Sequence, residues 1–294
     1  MSTRLKKIGT KIGFIGAGKC GSALAKVLSE NGYSVIGIAS RREESAEHLA
    51  NQIPRAKSML SAELVAMCGL VFVTVPDEAI QSIAAQHQWR KGQYVVYCSG
   101  ALELKSLDIV LNFGAVRGCF HPLQSLTNNT ASNPFDQISF GIEADLPLFP
   151  ILEKMAHQIG GSVIDLKGIN RARYHAAAVF ASNYIVALHS AAARIWASAG
   201  LAADSAQNAL NPLTMGAVEN LKLTTLTQAL TGPIARADTA TIKSQLAGLA
   251  STPDLLRLYR NLGLELLNLD LGHSDITKST LEQLLKGDIN SQSL

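Results

Sequence analysis

Three groups of residues in this chain have the types and spacing to do chemistry. The first is "GFIGAGKCGSAL", where Gly16-x-Gly18-x-x-Gly21 joins an apolar run to a helical pattern. In that setting the first glycine permits a tight turn and the second lets backbone approach a pyrophosphate. The third brings helix against strand. The helix start then offers unpaired N–H groups to phosphate oxygens. Gly16, Ala17, Gly18, Lys19, Cys20 and Gly21 are therefore assigned to a bound dinucleotide.

The second group is Ser40-Arg41-Arg42, which closes the next apolar run, "SVIGIAS". A site for NAD has Asp or Glu about 20 residues beyond the glycines, holding the ribose 2′-hydroxyl. A hydroxyl and two guanidinium groups at that strand end suit a 2′-phosphate instead, which points to NADP(H). Two further strand ends, "TVPDEAI" and "CSGAL", place Val75, Pro76, Ser99 and Gly100 on the nicotinamide side, because ligands bind at the carboxyl ends of such strands. Asp77 is expected as the N-cap of the helix that follows.

The third group carries candidates for proton transfer and substrate contact. His121 stands at the root of the polar stretch "CFHPLQSLTNNTASNPFDQ". The Ala-rich run "RYHAAAVFASNYIVALHSAAAR" (173–194) reads as one long buried helix. On it His175, Ser182 and His189 recur every seven residues and so share a stripe, with Asn183 at its edge. His175 is the expected proton donor, Asn183 and Ser99 orient substrate, His121 assists, and Ser182 lines the wall. His189 is expected as a core histidine. Arg236, in "LTGPIARAD", is left over after Gly232 and Pro233 stop a helix and Asp238 caps the next, and it suits a carboxylate.

Positioning these groups requires strands and helices in alternation. From Lys11 to Leu166 short β-branched runs alternate with amphipathic stretches, and "GLVFVTVP" is apolar throughout, as a strand covered on both faces should be. After Lys167 the β-branched runs fade and Ala and Leu dominate. The expected fold is α/β: a Rossmann doubly wound, mainly parallel sheet over 1–167, followed by an all-α domain over 168–294.

Composition narrows the function further. The chain has 294 residues, 47% hydrophobic and 17% charged, and a net charge of +3 without a basic stripe, which argues against a nucleic-acid partner. A basic cluster at Arg4, Lys6, Lys7 and Lys11 reads as a solvated tail. Cys20, Cys68, Cys98 and Cys119 show no metal-ligand spacing, so no metal is expected and reduced thiols in the cytoplasm are. Ser182, Asn183, His189 and Ser190 interrupt the best membrane-span candidate, 176–193, so no membrane is expected.

Taken together, the glycine fingerprint, "SRR", "VPD", "CSGA", "HPLQS", "YHAAAVFASNY" and "LTGPIARAD" resemble a bacterial family of Rossmann-like NADP oxidoreductases whose helical C-terminal half is a domain of unknown function. That family is more distantly similar to pyrroline-5-carboxylate reductase, ketopantoate reductase and the β-hydroxyacid dehydrogenases. The resemblance implies NADP binding, an all-helical second domain and homodimers through that domain. One departure stands out. Ketopantoate reductase and the β-hydroxyacid dehydrogenases use a Lys and an Asn one turn apart on the inter-domain helix, whereas this chain offers His175 and Asn183 with no Lys between them. The expected activity is hydride transfer between NADPH and a C=O or C=N carbon of a small substrate, one able to carry a carboxylate. The alternative, favoured by the missing lysine, is a non-catalytic NADP(H)-binding sensor or partner-binding dimer.

Overall fold

The computed structural model describes residues 10–127 and 133–287. Arg4, Lys6 and Lys7 lie outside them, as does the middle of the polar stretch 119–137. The chain divides into two compact units, Met1–Ser182 and Asn183–Leu294.

The first unit is built on an eight-stranded sheet. Its strands are β1 (Ile12–Ile15), β2 (Val35–Ala39), β3 (Lys57–Ser58), β4 (Leu70–Val73), β5 (Tyr94–Tyr97), β6 (Val116–Pro122), β7 (Ser139–Ala144) and β8 (Ser162–Asp165). They lie in the order β3-β2-β1-β4-β5-β6-β7-β8. Strands β1 to β6 pair in parallel, β7 runs antiparallel to β6, and β8 is parallel to β7. The helices are α1 (Lys19–Glu30), α2 (Glu43–Ala50), α3 (Ser61–Met67), α4 (Asp77–Gln86), α5 (Asp108–Leu111), α6 (Leu148–Gln158) and α7 (Arg171–Ala181). The expected mainly parallel, doubly wound sheet is present.

Every residue of β1 and β4 is buried. Phe14 and Phe72 stack across these strands at 5.0 Å in a core that also holds Leu24, Leu28 and Phe120. Val71, Val73, Val95 and Tyr97 belong to a second core. Two covered faces leave no polar side to alternate with, which is why these strands read as unbroken apolar runs. Strand order reverses between β1 and β4, the switch point where such sheets hold ligands.

The second unit is helical: α8 (Asn183–Ser198), α9 (Ala206–Leu223), α10 (Leu226–Ala229), α11 (Thr239–Gly248), α12 (Pro253–Leu266) and α13 (Asp275–Lys286). Ile234, Ile242, Leu246, Leu281 and Leu285 form its core. Asp238 is the N-cap of α11, as expected, its carboxylate accepting from Thr241 N–H at 3.0 Å.

Two expectations about the Ala-rich run are corrected. It is not one helix, because α7 stops at Ala181, Ser182 takes a non-helical conformation and α8 starts at Asn183. A seven-residue stripe needs unbroken helical phase, so His175, Ser182 and His189 do not form one seam. Nor is it a buried segment. Arg171–Ser198 is long and apolar enough by length and composition to cross a membrane, and none of its most apolar window is buried. His189 is half-exposed and bonds Thr214 Oγ1 on α9 at 2.6 Å, so it is not a core histidine. The compact units meet after Ser182, later than the boundary expected at 167, because α7 is tied into the sheet of the first unit.

Candidate active site

The glycine loop has the geometry its spacing predicts. Gly16 has φ of +113°, and a Cβ there would sit 2.5 Å from the Thr74 carbonyl oxygen. Gly18 occupies the N-cap of α1, and a Cβ there would meet only that oxygen, at 4.0 Å. A Cβ on Gly21 would lie 2.3 Å from Thr74 Oγ1 and 2.4 Å from the Gly16 carbonyl oxygen. The loop is therefore closed beneath and open above, as a pyrophosphate cradle must be.

Thr74 completes this cradle, its hydroxyl donating to the Gly16 carbonyl at 2.8 Å. Sequence reasoning missed this residue; its position one step before Val75-Pro76 was the available signal. The Cys20 side chain meets Cys98. That hydrogen bond, with burial, pushes the Cys98 thiol well up. A cleft of about 870 Å³ opens beside the loop, lined by Ala17, Gly18, Lys19 and Ser22 on one side and Glu44, Ser45 and His48 on the other. Its volume is in the range of cofactor sites, on the order of 300–1,000 Å³.

Ser40, Arg41 and Arg42 follow β2 directly, and both arginines are exposed. No carboxylate stands at the strand end itself, but Glu43 and Glu44 form the first turn of α2 immediately afterwards. There they complement the helix dipole.

Val75 and Pro76 leave the carboxyl end of β4, and Ser99 and Gly100 that of β5. Two expectations change here. Asp77 is not the N-cap of α4; Pro76 holds that position and Asp77 is the first helical residue. The buried Ser99 hydroxyl donates to Asp77 Oδ2 at 2.6 Å and accepts from the backbone N–H groups of Ala101 and Leu102. Its single proton is committed, so Ser99 shapes the turn after β5 rather than presenting a donor to substrate.

His121 lies within β6, not in a loop, and its ring rests on Gly100: a Cβ there would lie 2.6–2.9 Å from three ring atoms. On the antiparallel pair β6–β7, Cys119 faces Glu143 and His121 faces Gly141. Residues two apart on a strand share a face, as do residues three apart on a helix, and α7 matches these steps. Arg171 is buried and donates to Glu143 Oε2 at 2.5 Å and to Cys119 Sγ at 3.5 Å. One turn on, Tyr174 Oη lies 2.9 Å from His121 Nδ1. Gly141 makes room for it, since a Cβ there would sit 2.6 Å from the phenol oxygen. His175 stands beside them, its ring centre 6.4 Å from that of His121.

Burial, with His175 and Arg171 nearby, pushes the His121 imidazole down to about 4. Burial pushes the Tyr174 phenol up to about 12. At neutral pH both groups are uncharged. Sequence reasoning found His121 and His175 and missed Tyr174 and Arg171. The readable signal was the helical Arg171-x-x-Tyr174-His175 spacing against Cys119-x-His121 on a strand.

Ser182 ends α7, half-exposed. Asn183 and Arg236 belong to the second unit, where both are exposed, Asn183 opening α8 and Arg236 lying between α10 and α11.

Residues 11–100 match the family described as "NADP oxidoreductase coenzyme F420-dependent", and residues 138–266 match "Domain of unknown function (DUF2520)". No curated protein matches the chain. Among solved structures, a Bacteroides fragilis protein assigned as an NADP oxidoreductase is 28% identical, covering 87% of this chain and 97% of its own, with a TM-score of 0.70. A Thermotoga maritima protein is 27% identical over 94% of this chain and 99% of its own, with a TM-score of 0.64. A 1-pyrroline-5-carboxylate reductase from Streptococcus pyogenes shares the fold at 17% identity and a TM-score of 0.61, covering 93% and 98% of the two chains.

Fold, cradle and family match together define an NADP oxidoreductase of the Rossmann class, with NADP(H) as its cofactor. More particularly, a match to this nucleotide-binding family is followed along the chain by a match to DUF2520.

Proposed function

We propose that this protein is an NADPH-dependent reductase that transfers hydride to a C=O or C=N carbon of a small substrate held at the His121 cluster. One observation carries the reading. The His121 ring packs on Gly100 at the carboxyl end of β5, on the side of the sheet's switch point where a nicotinamide is expected once its pyrophosphate sits over Gly18. His175 is a second proton-bearing group beside His121. Ser182 and Asn183, at the junction of α7 and α8, are neutral polar groups for substrate. Arg236, exposed on the helical unit, is a cation of the type a carboxylate takes.

The 2′-phosphate of NADPH is assigned to Ser40, Arg41 and Arg42. Replacing both arginines by alanine should weaken NADPH binding by at least about 100-fold, since charge-assisted hydrogen bonds contribute about 1.5–3 kcal/mol each. NADH binding, read by the same fluorescence titration, should hardly change. Equal loss for both cofactors would overturn the assignment.

The reading includes a homodimer through the helical unit. Helix α8 has no buried residue, and Val186, Leu213, Met215, Val218 and Leu223 on α8 and α9 are exposed. An apolar face of this kind suits a second copy. Sedimentation should give a dimer, and Leu213→Lys with Val218→Lys should give a monomer; a monomeric parent protein would refute it.

A further inference from the structure

We propose that Tyr174 and His121 act as one proton-delivering pair and that the group they serve is a neutral carbonyl rather than an iminium. This rests on the reading that NADPH supplies the hydride, and it narrows that reading to one substrate class.

The geometry is specific to the pair. Tyr174 Oη and His121 Nδ1 are 2.9 Å apart, a full hydrogen bond. Two glycines make the space for it, Gly100 under the imidazole and Gly141 beside the phenol oxygen, and a Cβ at either would lie within 3.0 Å of the pair. Two neutral groups joined this way always hold one unspent polar hydrogen. If the phenol donates to Nδ1, the hydrogen of the ring is on Nε2. If Nδ1–H donates to the phenol oxygen, the hydroxyl hydrogen is released. In either arrangement one donor hydrogen is not spent within the pair.

Such a donor is useful to a carbonyl and idle for an iminium. The carbonyl carbon gains hydride, with its electron pair, from the dihydronicotinamide, which is oxidised to NADP+. The π pair moves to oxygen, and that oxygen takes the proton of the pair, which draws a replacement from water. An iminium becomes a neutral amine on gaining hydride and needs no proton. It would also bring a positive charge to the place where burial, His175 and Arg171 already hold the imidazole unprotonated. The nearby Arg171 guanidinium favours negative charge developing on a carbonyl oxygen.

The test uses the intact protein and follows NADPH oxidation against ketones, aldehydes and cyclic imines. Tyr174→Phe keeps the ring and removes the proton, and kcat for carbonyls should fall about 100-fold, within the usual range for general acid catalysis. The NADPH dissociation constant should stay within about twofold, as expected when only the proton relay is lost. A second readout needs no turnover. In ¹⁵N NMR the His121 imidazole should stay neutral to below pH 5 in the parent protein and shift its tautomer balance in Tyr174→Phe. Turnover of imines but not carbonyls, an unchanged kcat, or an unchanged tautomer balance would each overturn the pair. Failure of the parent protein to bind NADPH would overturn instead the reading beneath it.

Discussion

The glycine loop and the His121 cluster stand at the carboxyl ends of strands in one sheet, yet the chain builds them differently. The loop is local, its three glycines falling within six residues of sequence, with Thr74 reaching in from just past β4. It works through backbone, and its demand is space. The cluster draws on β5, β6, β7 and α7, and works through side chains whose charge is set by burial. A cradle for a constant cofactor can be written as a short motif. A side-chain cluster of this kind is assembled across the fold, where each contributor looks ordinary alone.

Substitutions can break that contrast. The largest effect is expected at Gly21, where alanine would crowd Thr74 and Gly16. Gly21→Ala should lose NADPH binding and also lower stability by about 1–3 kcal/mol, the usual cost of overpacking. Gly18→Ala should instead weaken binding with no change in Tm, because its Cβ would point to open space. Thermal denaturation and NADPH titration of the two variants separate cradle from scaffold; equal destabilisation would show that the loop is not open above Gly18.

Next comes the acid limb of stability. The folded imidazole of His121 titrates near 4, below the ordinary value of 6.5. The unfolded chain therefore takes up its proton first as pH falls. The contribution of the neutral ring is full above about pH 6.5 and lost on the way to pH 4, on the order of 3 kcal/mol. His121→Asn should flatten that part of the stability-against-pH curve, measured by urea unfolding. An equally steep loss in the variant would place the titrating group elsewhere.

A smaller effect is expected at Gly141, whose replacement by alanine pushes on Tyr174 Oη and Leu166. About a tenfold fall in kcat with unchanged NADPH affinity would match a misplaced phenol, since small misplacements near the chemistry are costly. Unchanged kcat would show that the phenol's position does not matter.

Much of the nucleotide half was legible from sequence because its signals are short-range. Glycine spacing, apolar runs and the arginines after β2 all lie within one βαβ unit. The short β3 and α3 gave no periodicity to read. The break at Ser182 was hidden because Ala-rich sequence on both sides favours helix. Ser99 reads as a substrate contact in the sequence, whereas in the fold its proton is committed to Asp77. Tyr174 and Arg171 were invisible as a site because only the β6–β7 register brings Cys119, Glu143, His121 and Gly141 to one face for α7.

The step proposed for this protein is hydride transfer from NADPH to a carbonyl carbon. NADPH carrying deuterium at the transferable position of nicotinamide C4 tests it directly, with the product analysed by mass spectrometry and NMR. One deuterium should appear on the former carbonyl carbon for each NADPH oxidised. Tight NADPH binding with no deuterium transferred to any carbonyl compound would contradict it.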